Sequence, residues 1–211
     1  MIDLHTHSIF SDGVLIPSEL ARRAEFAGLR GLGITDHGDL SNIDFIIPRI
    51  VAIAQELNRV MNITVIAGIE ITHVPPALIA RTVQKARGLG AKIIVVHGET
   101  LAEPVAPGTN RTALEADIDV LAHPGLITEE EVYKAKEKGI LLEISARKGH
   151  CLANGHVARL AQKVGAKLVI NTDAHEPGDL IDQNKAKKIV CGAGLSERDF
   201  EQMQKNASVF L

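Results

Sequence analysis

The chain has 211 residues, 45% of them hydrophobic, with 23 basic and 26 acidic side chains that give a net charge of −3. This length suits one domain with a sizeable core, and the globular composition excludes a disordered or fibrous chain. The sequence shows neither a signal peptide nor an apolar run near the ~20 residues of a membrane helix, and two distant cysteines favour a reduced, cytoplasmic protein. We therefore expect one domain over residues 1–211 with no membrane partner; its unusual feature is nine histidines beside no tryptophan.

Short apolar runs alternate with amphipathic stretches along the chain. The runs predict seven strands: Ile2–His5, Gly31–Thr35, Ile63–Glu70, Lys92–His97, Ile118–Ala122, Ile140–Ser145 and Lys167–Thr172. Most are apolar throughout, as in a parallel sheet that is buried on both faces. Helix signals lie between them: Pro17 and Gly28 flank one helix, Thr128 and Gly139 flank another, and Glu103–Asn110 is interpreted as a surface loop.

This alternation predicts an α/β fold in which helices cover a parallel sheet, either open and doubly wound or closed into a barrel. An open nucleotide-binding sheet usually carries a glycine-rich phosphate loop after its first strand. Here the first strand is followed by His5-Thr6-His7. An eight-stranded barrel typically needs about 250 residues, so a TIM-like (β/α)7 barrel fits this length better.

Histidines and carboxylates end six of the seven predicted strands: His5, His7, His37, Glu70, His97, His123, Asp173 and His175. In a parallel barrel these ends meet on one face, where active sites are built. Imidazole and carboxylate groups suit zinc, manganese or iron, and residues two apart on a strand project to the same side. Each residue alone would be an ordinary core histidine or a solvated carboxylate, but together they predict a metal site at the C-terminal ends of the strands.

Several further side chains are candidates for substrate contact: Arg111, Arg147, Lys148, His73 and His150. Arg147 and Lys148 follow the sixth predicted strand and therefore belong to the same face as the metal site. A guanidinium group can hold two phosphate oxygens at once. A solvated basic turn is the equally supported alternative for this pair.

The chain resembles the PHP (polymerase and histidinol phosphatase) superfamily from residue 3 to about residue 177. The resemblance rests on ordered motifs: Asp3-Leu4-His5-Thr6-His7-Ser8, Ser11-Asp12-Gly13, Ile34-Thr35-Asp36-His37, Gly68-Ile69-Glu70, His97, Ala122-His123-Pro124 and Asn171-Thr172-Asp173-Ala174-His175. It implies a distorted seven-stranded barrel that binds two to three divalent ions, zinc, manganese or iron.

The resemblance also implies a ligand set for each ion: His5, His7, Glu70 and Asp173 for the first, Glu70, His97 and His123 for the second, and Asp12, His37 and His175 for the third. Glu70, Asp173 and His175 are then the catalytic candidates, and a hydroxide that bridges two ions would attack the phosphorus. Asp36 is interpreted as a carboxylate that orients ligand histidines.

The favoured function is a metal-dependent phosphoesterase that acts on a small phosphomonoester, as histidinol-phosphate phosphatases do. The main alternative is a phosphodiesterase or exonuclease that acts on nucleotides or nucleic-acid ends, although the absence of a basic stripe argues against long nucleic acid. Amidohydrolase-type C–N hydrolysis ranks lower, because those enzymes often bridge their metals with a lysine where this chain offers Glu70. A non-enzymatic barrel would be expected to lose ligands, and none of the strand-end set is missing.

Overall fold

A nearly closed barrel of parallel strands forms the centre of the molecule, as the sequence predicts. The computed structural model describes all residues from Met1 to Leu211. The strands are β1 (Ile2–Thr6), β2 (Gly31–Ile34), β3 (His37–Gly38), β4 (Thr64–Ile71), β5 (Ile93–His97), β6 (Val120–Ala122), β7 (Leu141–Ser145) and β8 (Leu168–Asn171). The seven predicted strands are all present, and the two-residue β3, which pairs with β4, is the one that the sequence did not indicate.

Helices follow the strands and cover the outside of the barrel: α1 (Pro17–Phe26), α2 (Ile43–Val60), α3 (Pro76–Gly88), α4 (Thr109–Ala113), α5 (Glu129–Lys138), α6 (Asn154–Val164), α7 (Gln183–Gly192) and α8 (Glu197–Ala207). The predicted helix boundaries at Pro17, Thr128 and Gly139 are confirmed, and Thr128 forms a capping box at the start of α5. None of these helices has the length and apolar character needed to cross a membrane.

The predicted surface loop at Glu103–Asn110 is only partly correct. Thr109 and Asn110 are buried and begin α4. The Asn110 side chain accepts a hydrogen bond from the backbone N–H of Glu99 and donates one to the Pro124 carbonyl oxygen, at 2.9 Å each. These bonds tie the segment after β5 to the segment after β6, a tertiary constraint that the composition of the segment did not indicate.

The strands pair in the order β1-β2-β4-β5-β6-β7-β8, and the seam between β8 and β1 nearly closes the ring. At this seam the backbone N–H of Asp173 donates to His5 and that of His7 donates to Ala174, at 2.9 and 2.8 Å. Lower in the seam the side chain of Asn171 replaces a backbone partner, since its Oδ1 accepts from the Leu4 N–H at 2.9 Å. The seam therefore combines main-chain and side-chain hydrogen bonds.

Two apolar clusters use opposite faces of the strands. On β5, Ile93 and Val95 belong to a small cluster, whereas Ile94 and Val96 belong to the large cluster that includes the helices. Because side chains alternate along a strand, His97 continues the row of Ile93 and Val95. In the same way, Glu70 on β4 and Glu143 on β7 continue the rows of Ile66 and Leu141. The barrel thus places polar side chains directly beyond its small apolar cluster: Glu70, His97 and Glu143.

We predict that Asn171→Ala lowers the free energy of unfolding by about 2–3 kcal/mol, because it removes two buried hydrogen bonds and leaves the Leu4 N–H unpaired. Urea denaturation in the presence of a chelator measures this loss without a contribution from bound ions. Asn62→Ala, at an exposed position, is the matched control and should change the stability little. Equal urea midpoints for the two variants would contradict a stabilising role of Asn171 in the seam.

Candidate metal centre

Four buried side chains from β1, β4 and the segment after β8 form the first cluster. His5 Nε2 lies 3.4 Å from Glu70 Oε1 and 3.7 Å from Asp173 Oδ1. His7 Nε2 lies 3.1 Å from Asp173 Oδ1 and 3.9 Å from Glu70 Oε2. The structure therefore brings together the four residues that the sequence analysis grouped around one ion.

The second cluster contains His97, His123 and His150. The sequence analysis had named His150 as a candidate for substrate contact and not as a metal ligand. One side-chain nitrogen from each ring lies within 4.8 Å of the other two, and all three residues are buried. Glu70 connects this cluster to the first, because its Oε1 lies 3.8 Å from His123 Nε2 as well as 3.4 Å from His5 Nε2. One carboxylate oxygen thus faces imidazoles of both clusters.

The third cluster lies nearer the surface, where Asp12 meets His37 and His175. Asp12 Oδ1 is 3.1 Å from His175 Nε2 and 3.4 Å from His37 Nε2. The loop that carries Asp12 turns back tightly, since a Cβ on Gly13 would lie 2.3 Å from the carbonyl oxygen of His7. Glycine at this position is therefore needed to bring Asp12 over the two histidines.

The buried polar atoms of these clusters fit the requirements of divalent cations. Several lack any hydrogen-bond partner: His5 Nε2, both ring nitrogens of His7 and His123, Glu70 Oε1, Glu143 Oε1 and Asp173 Oδ1. An unpaired buried polar atom costs about 1–3 kcal/mol. Nitrogen and carboxylate donors that converge in this way suit zinc, manganese or iron.

Burial and neighbouring charges drive the pKa values of the imidazoles apart. Burial, followed by the neighbouring histidines, lowers the pKa of His7 and of His123 well below the ordinary value. Burial also acts to lower the pKa of His5, but nearby carboxylates, Glu143 foremost, raise that pKa well above the ordinary value. His7 and His123 are therefore in the neutral form that binds a metal ion.

Glu143, which the sequence analysis missed, orients His5. Its Oε2 lies 2.8 Å from His5 Nδ1 and 2.9 Å from the Asn171 side-chain nitrogen, and the residue is fully buried on β7. The His5 Nδ1–H donates to this carboxylate, which leaves Nε2 to face the first cluster. A signal was present in the sequence, because an acidic residue interrupts the apolar run Leu141-Leu142-Glu143-Ile144.

The interpretation of Asp36 as an orienting partner of ligand histidines is wrong. Its carboxylate accepts hydrogen bonds from the backbone N–H and hydroxyl of Ser8 and from the hydroxyl of Ser11, at 2.7–2.8 Å. Asp36 therefore holds the loop after β1. The partner that accepts from the His37 ring is Glu70, and Thr72 lies 2.7 Å from the same His37 nitrogen.

The backbone is strained where the site is built. The non-glycine residues with positive φ are His73, His123 and Asp173, at 52°, 27° and 52°. All three follow strand ends on the metal-site face, and two belong to the clusters. Such conformations cost about 1–3 kcal/mol each and concentrate at functional sites.

Arg147, for which the sequence analysis left phosphate binding and a solvated basic turn open, lies beside the first cluster. Its Nη1 donates to the Asp173 carbonyl oxygen at 3.0 Å, and its Nε lies 3.7 Å from Asp173 Oδ2. Its second carboxylate neighbour is Asp179, at 3.6 Å. Lys148 is exposed and forms no ion pair, so the structure gives it no contact with the clusters.

The other expected substrate contacts are distributed differently. His73 is exposed, and its Nε2 lies 2.9 Å from Glu103 Oε2, which is in turn 3.1 Å from His97 Nε2. Arg111 lines a separate cavity of about 500 Å³ and contacts none of the clustered histidines. His156 Nε2 donates to the Ile127 carbonyl oxygen at 2.7 Å and has a structural role. Sequence reasoning missed Glu103, which lay within the predicted surface loop.

The model of the PHP domain matches residues 3–176. The chain belongs to the PHP domain family. An uncharacterized protein of Methanocaldococcus jannaschii, MJ1295, is 48% identical over 94% of this chain and 92% of its own length. A probable phosphatase of Clostridium novyi is 28% identical over 83% of this chain and 79% of its length. The Bacillus subtilis DNA polymerase/3'-5' exonuclease PolX is 26% identical over 92% of this chain but only 37% of its length.

Solved structures support the barrel fold of this PHP domain. A chain of archaeal ribonuclease P in complex with mature tRNA superposes with a TM-score of 0.74 at 17% identity, over 98% of this chain and 89% of that one. A putative histidinol phosphatase of Listeria monocytogenes superposes with a TM-score of 0.63 at 14% identity, over 85% and 97%. At these identities the likeness concerns the fold alone.

We predict that Glu143→Gln weakens the binding of one divalent ion by about 10–100-fold. A neutral amide holds the His5 ring less firmly and makes its Nε2 a weaker metal ligand than the carboxylate does. Competition with a chromophoric chelator measures the dissociation constants. Glu137→Gln, on the exposed face of α5, is the matched control and should leave every constant unchanged. An unchanged affinity in Glu143→Gln would contradict the orienting role.

Proposed function

We propose that this PHP domain is a metal-dependent phosphomonoesterase that acts on a small phosphorylated substrate. The observation that carries the proposal is the convergence of three clusters of imidazole and carboxylate groups around Glu70 at the strand ends. The PHP match and the similarity to a probable phosphatase support the same reaction class. The cofactors would be two to three divalent ions, zinc, manganese or iron.

Each cluster would hold one ion. His5, His7, Glu70 and Asp173 would hold the first, Glu70, His97 and His123 the second, and Asp12, His37 and His175 the third. Bound ions supply Lewis acidity toward a phosphoryl oxygen and lower the pKa of a coordinated water. The protein contributes fixed donor positions, which lie at or just after strand ends except for Asp12, which lies on the loop after β1.

The side chains proposed as catalytic are Glu70, Asp173 and His175. Glu70 spans two clusters and fixes the distance between them through His5 and His123. Asp173 Oδ1 is buried without a hydrogen-bond partner and can accept a proton from a water at that atom. His175 Nδ1–H donates to the Asp173 carbonyl oxygen at 2.9 Å, so Nε2 is the nitrogen that faces the exposed Asp12 carboxylate.

Arg147 would bind the phosphate group. Its guanidinium lies at the edge of the first cluster, and its carboxylate neighbours stand at 3.6–3.7 Å, beyond direct hydrogen-bond distance. Nη1 donates one N–H to the Asp173 carbonyl oxygen, and the remaining N–H donors of the guanidinium would bind phosphate oxygens. Approach from the open side is consistent with the partial exposure of Asp12 and Glu103.

A second candidate function is hydrolysis of a phosphodiester at the end of a nucleotide chain. Its support is the alignment with PolX, a protein named as an exonuclease, over 92% of this chain. The same ions would stabilise the charge on a phosphodiester. The two proposals therefore differ in the substrate groups that are attached to the phosphate, not in the metal centre. The near-neutral charge of the chain favours the smaller substrate.

We predict that the metal-free protein is inactive and that zinc, manganese or iron restores hydrolysis of p-nitrophenyl phosphate. Glu70→Gln should lower kcat by at least about 10²–10³-fold, because the shared carboxylate is lost. Glu130→Gln, at an exposed position, is the matched control. Parallel assays with bis-p-nitrophenyl phosphate test phosphodiester hydrolysis, and assays with an amide test C–N hydrolysis. Turnover of the amide alone would overturn the proposal.

We also predict that Arg147→Ala raises KM for the phosphomonoester by about tenfold, as expected for the loss of a charged hydrogen bond worth about 1.5 kcal/mol or more. Steady-state kinetics with the metal-loaded protein measure the change. Arg159→Ala, on an exposed position of α6, is the control. An unchanged KM would show that Arg147 is confined to its contacts with Asp173 and Asp179.

A further inference from the structure

The second cluster contains one more imidazole than the sequence analysis assigned to the second ion. His150 lies in the short turn after β7, and its ring centre is 4.0 Å from that of His123, with the two planes only 17° apart. The ring centre of His97 is 4.5 Å from that of His123 and 5.7 Å from that of His150. The relative exposures of His97, His123 and His150 are 2%, 2% and 6%, so three imidazoles share one buried space.

Hydrogen bonds fix which nitrogen of each ring is available. His97 Nδ1–H donates to the Gly98 carbonyl oxygen at 3.1 Å, so Nε2 is the nitrogen that remains for a ligand, and Glu103 Oε2 lies 3.1 Å from it. His150 Nδ1 lies 2.7 Å from the Thr100 hydroxyl oxygen, and both residues are buried. Neither nitrogen of His123 has a hydrogen-bond partner. Each ring therefore keeps one nitrogen that no backbone or hydroxyl oxygen occupies, and one nitrogen of each ring lies within 4.8 Å of the other two.

The segments after β5 and β7 hold His150 in this position. The Thr100 hydroxyl oxygen also accepts a hydrogen bond from the Ala102 N–H at 3.3 Å, so the same oxygen ties its own turn to the His150 ring. A Cβ on Gly149 would lie 3.2 Å from Ala102 Cβ, which shows how closely the two segments approach. His150 is thus positioned by tertiary contacts and does not depend on a bound substrate.

We propose that His150 is a ligand of the same cation as His97 and His123, and that Thr100 is its positioning residue. This inference rests on the proposed metal centre and adds a third imidazole to the second ion. A histidine that binds metal through Nε2 commonly donates its Nδ1–H to an oxygen, and Thr100 supplies that oxygen. With Glu70, the second ion would have three imidazole nitrogens and one carboxylate oxygen as donors, all of them ligand types that zinc takes in proteins.

The added imidazole has a consequence for metal choice. Imidazole nitrogens favour zinc, iron and copper over magnesium and calcium, whereas carboxylates favour the harder ions. The carboxylate oxygens nearest His150 Nε2 are Glu103 Oε1 at 3.5 Å and Asp173 Oδ2 at 3.8 Å. A second site with three imidazoles should therefore prefer zinc to manganese more strongly than the third cluster, where Asp12 provides an exposed carboxylate.

The test is the zinc stoichiometry and affinity of the full chain, measured by elemental analysis after gel filtration and by competition with a chromophoric chelator. We expect His150→Ala and His150→Gln to weaken the binding of one zinc ion by at least about tenfold and to leave the affinities for the other ions unchanged. Thr100→Val should have a smaller effect in the same direction. His156→Gln is the matched control, because His156 bonds the Ile127 carbonyl oxygen and lies outside the clusters.

Cobalt substitution gives an independent readout, since the visible absorption of Co²⁺ reports the number of nitrogen ligands and is expected to change in His150→Gln but not in His156→Gln. Circular dichroism and urea unfolding in chelator establish that the variants fold. Unchanged zinc affinities and cobalt spectra, with a raised KM for p-nitrophenyl phosphate, would overturn the proposal in favour of a substrate contact. Loss of one zinc from His150→Ala in a protein that hydrolyses no phosphate ester would support it while removing the proposed function.

Discussion

The structure depends on two carboxylates, Glu70 and Asp173, that are buried among imidazoles at the barrel mouth. An isolated buried carboxylate is very costly, so such groups are paired with positive charge or with metal ions. Glu70 is fully buried and its oxygens face His5, His7, His37 and His123. This requirement explains why imidazoles from several strands converge here, and the converging groups are of the donor types that bind divalent cations.

Closure of the barrel and orientation of the site use the same side chains. Asn171 accepts from the Leu4 N–H across the seam and donates to Glu143, and Glu143 in turn accepts from the His5 ring. The segment directly after β8 places Asp173, whose N–H donates to the His5 carbonyl oxygen. A shift of one residue in the seam would therefore break the fold and misplace two donors of the first cluster together.

The parts of the site that follow strand ends could be predicted from the sequence, and the parts set by tertiary contacts could not. The apolar run before His97 predicts both the strand and the position of His97 as a candidate metal ligand at its end. Glu143 was missed because it lies inside such a run, and Glu103 because no periodicity describes the segment after β5. Asp36 was misassigned because its neighbour in sequence is a histidine, whereas folding turns its carboxylate toward Ser8.

Strand-borne and loop-borne residues divide the work of the site. Strands hold side chains precisely, and loops vary without cost to the core, so chemistry is expected from the former and substrate choice from the latter. Glu70 and His97 lie on strands, whereas Arg147 and Glu103 lie on the segments after β7 and β5. A putative histidinol phosphatase and a ribonuclease P chain share this barrel fold at 14% and 17% identity. Substrate choice is therefore expected from the side chains of these two segments, and metal binding from the strand ends beneath them.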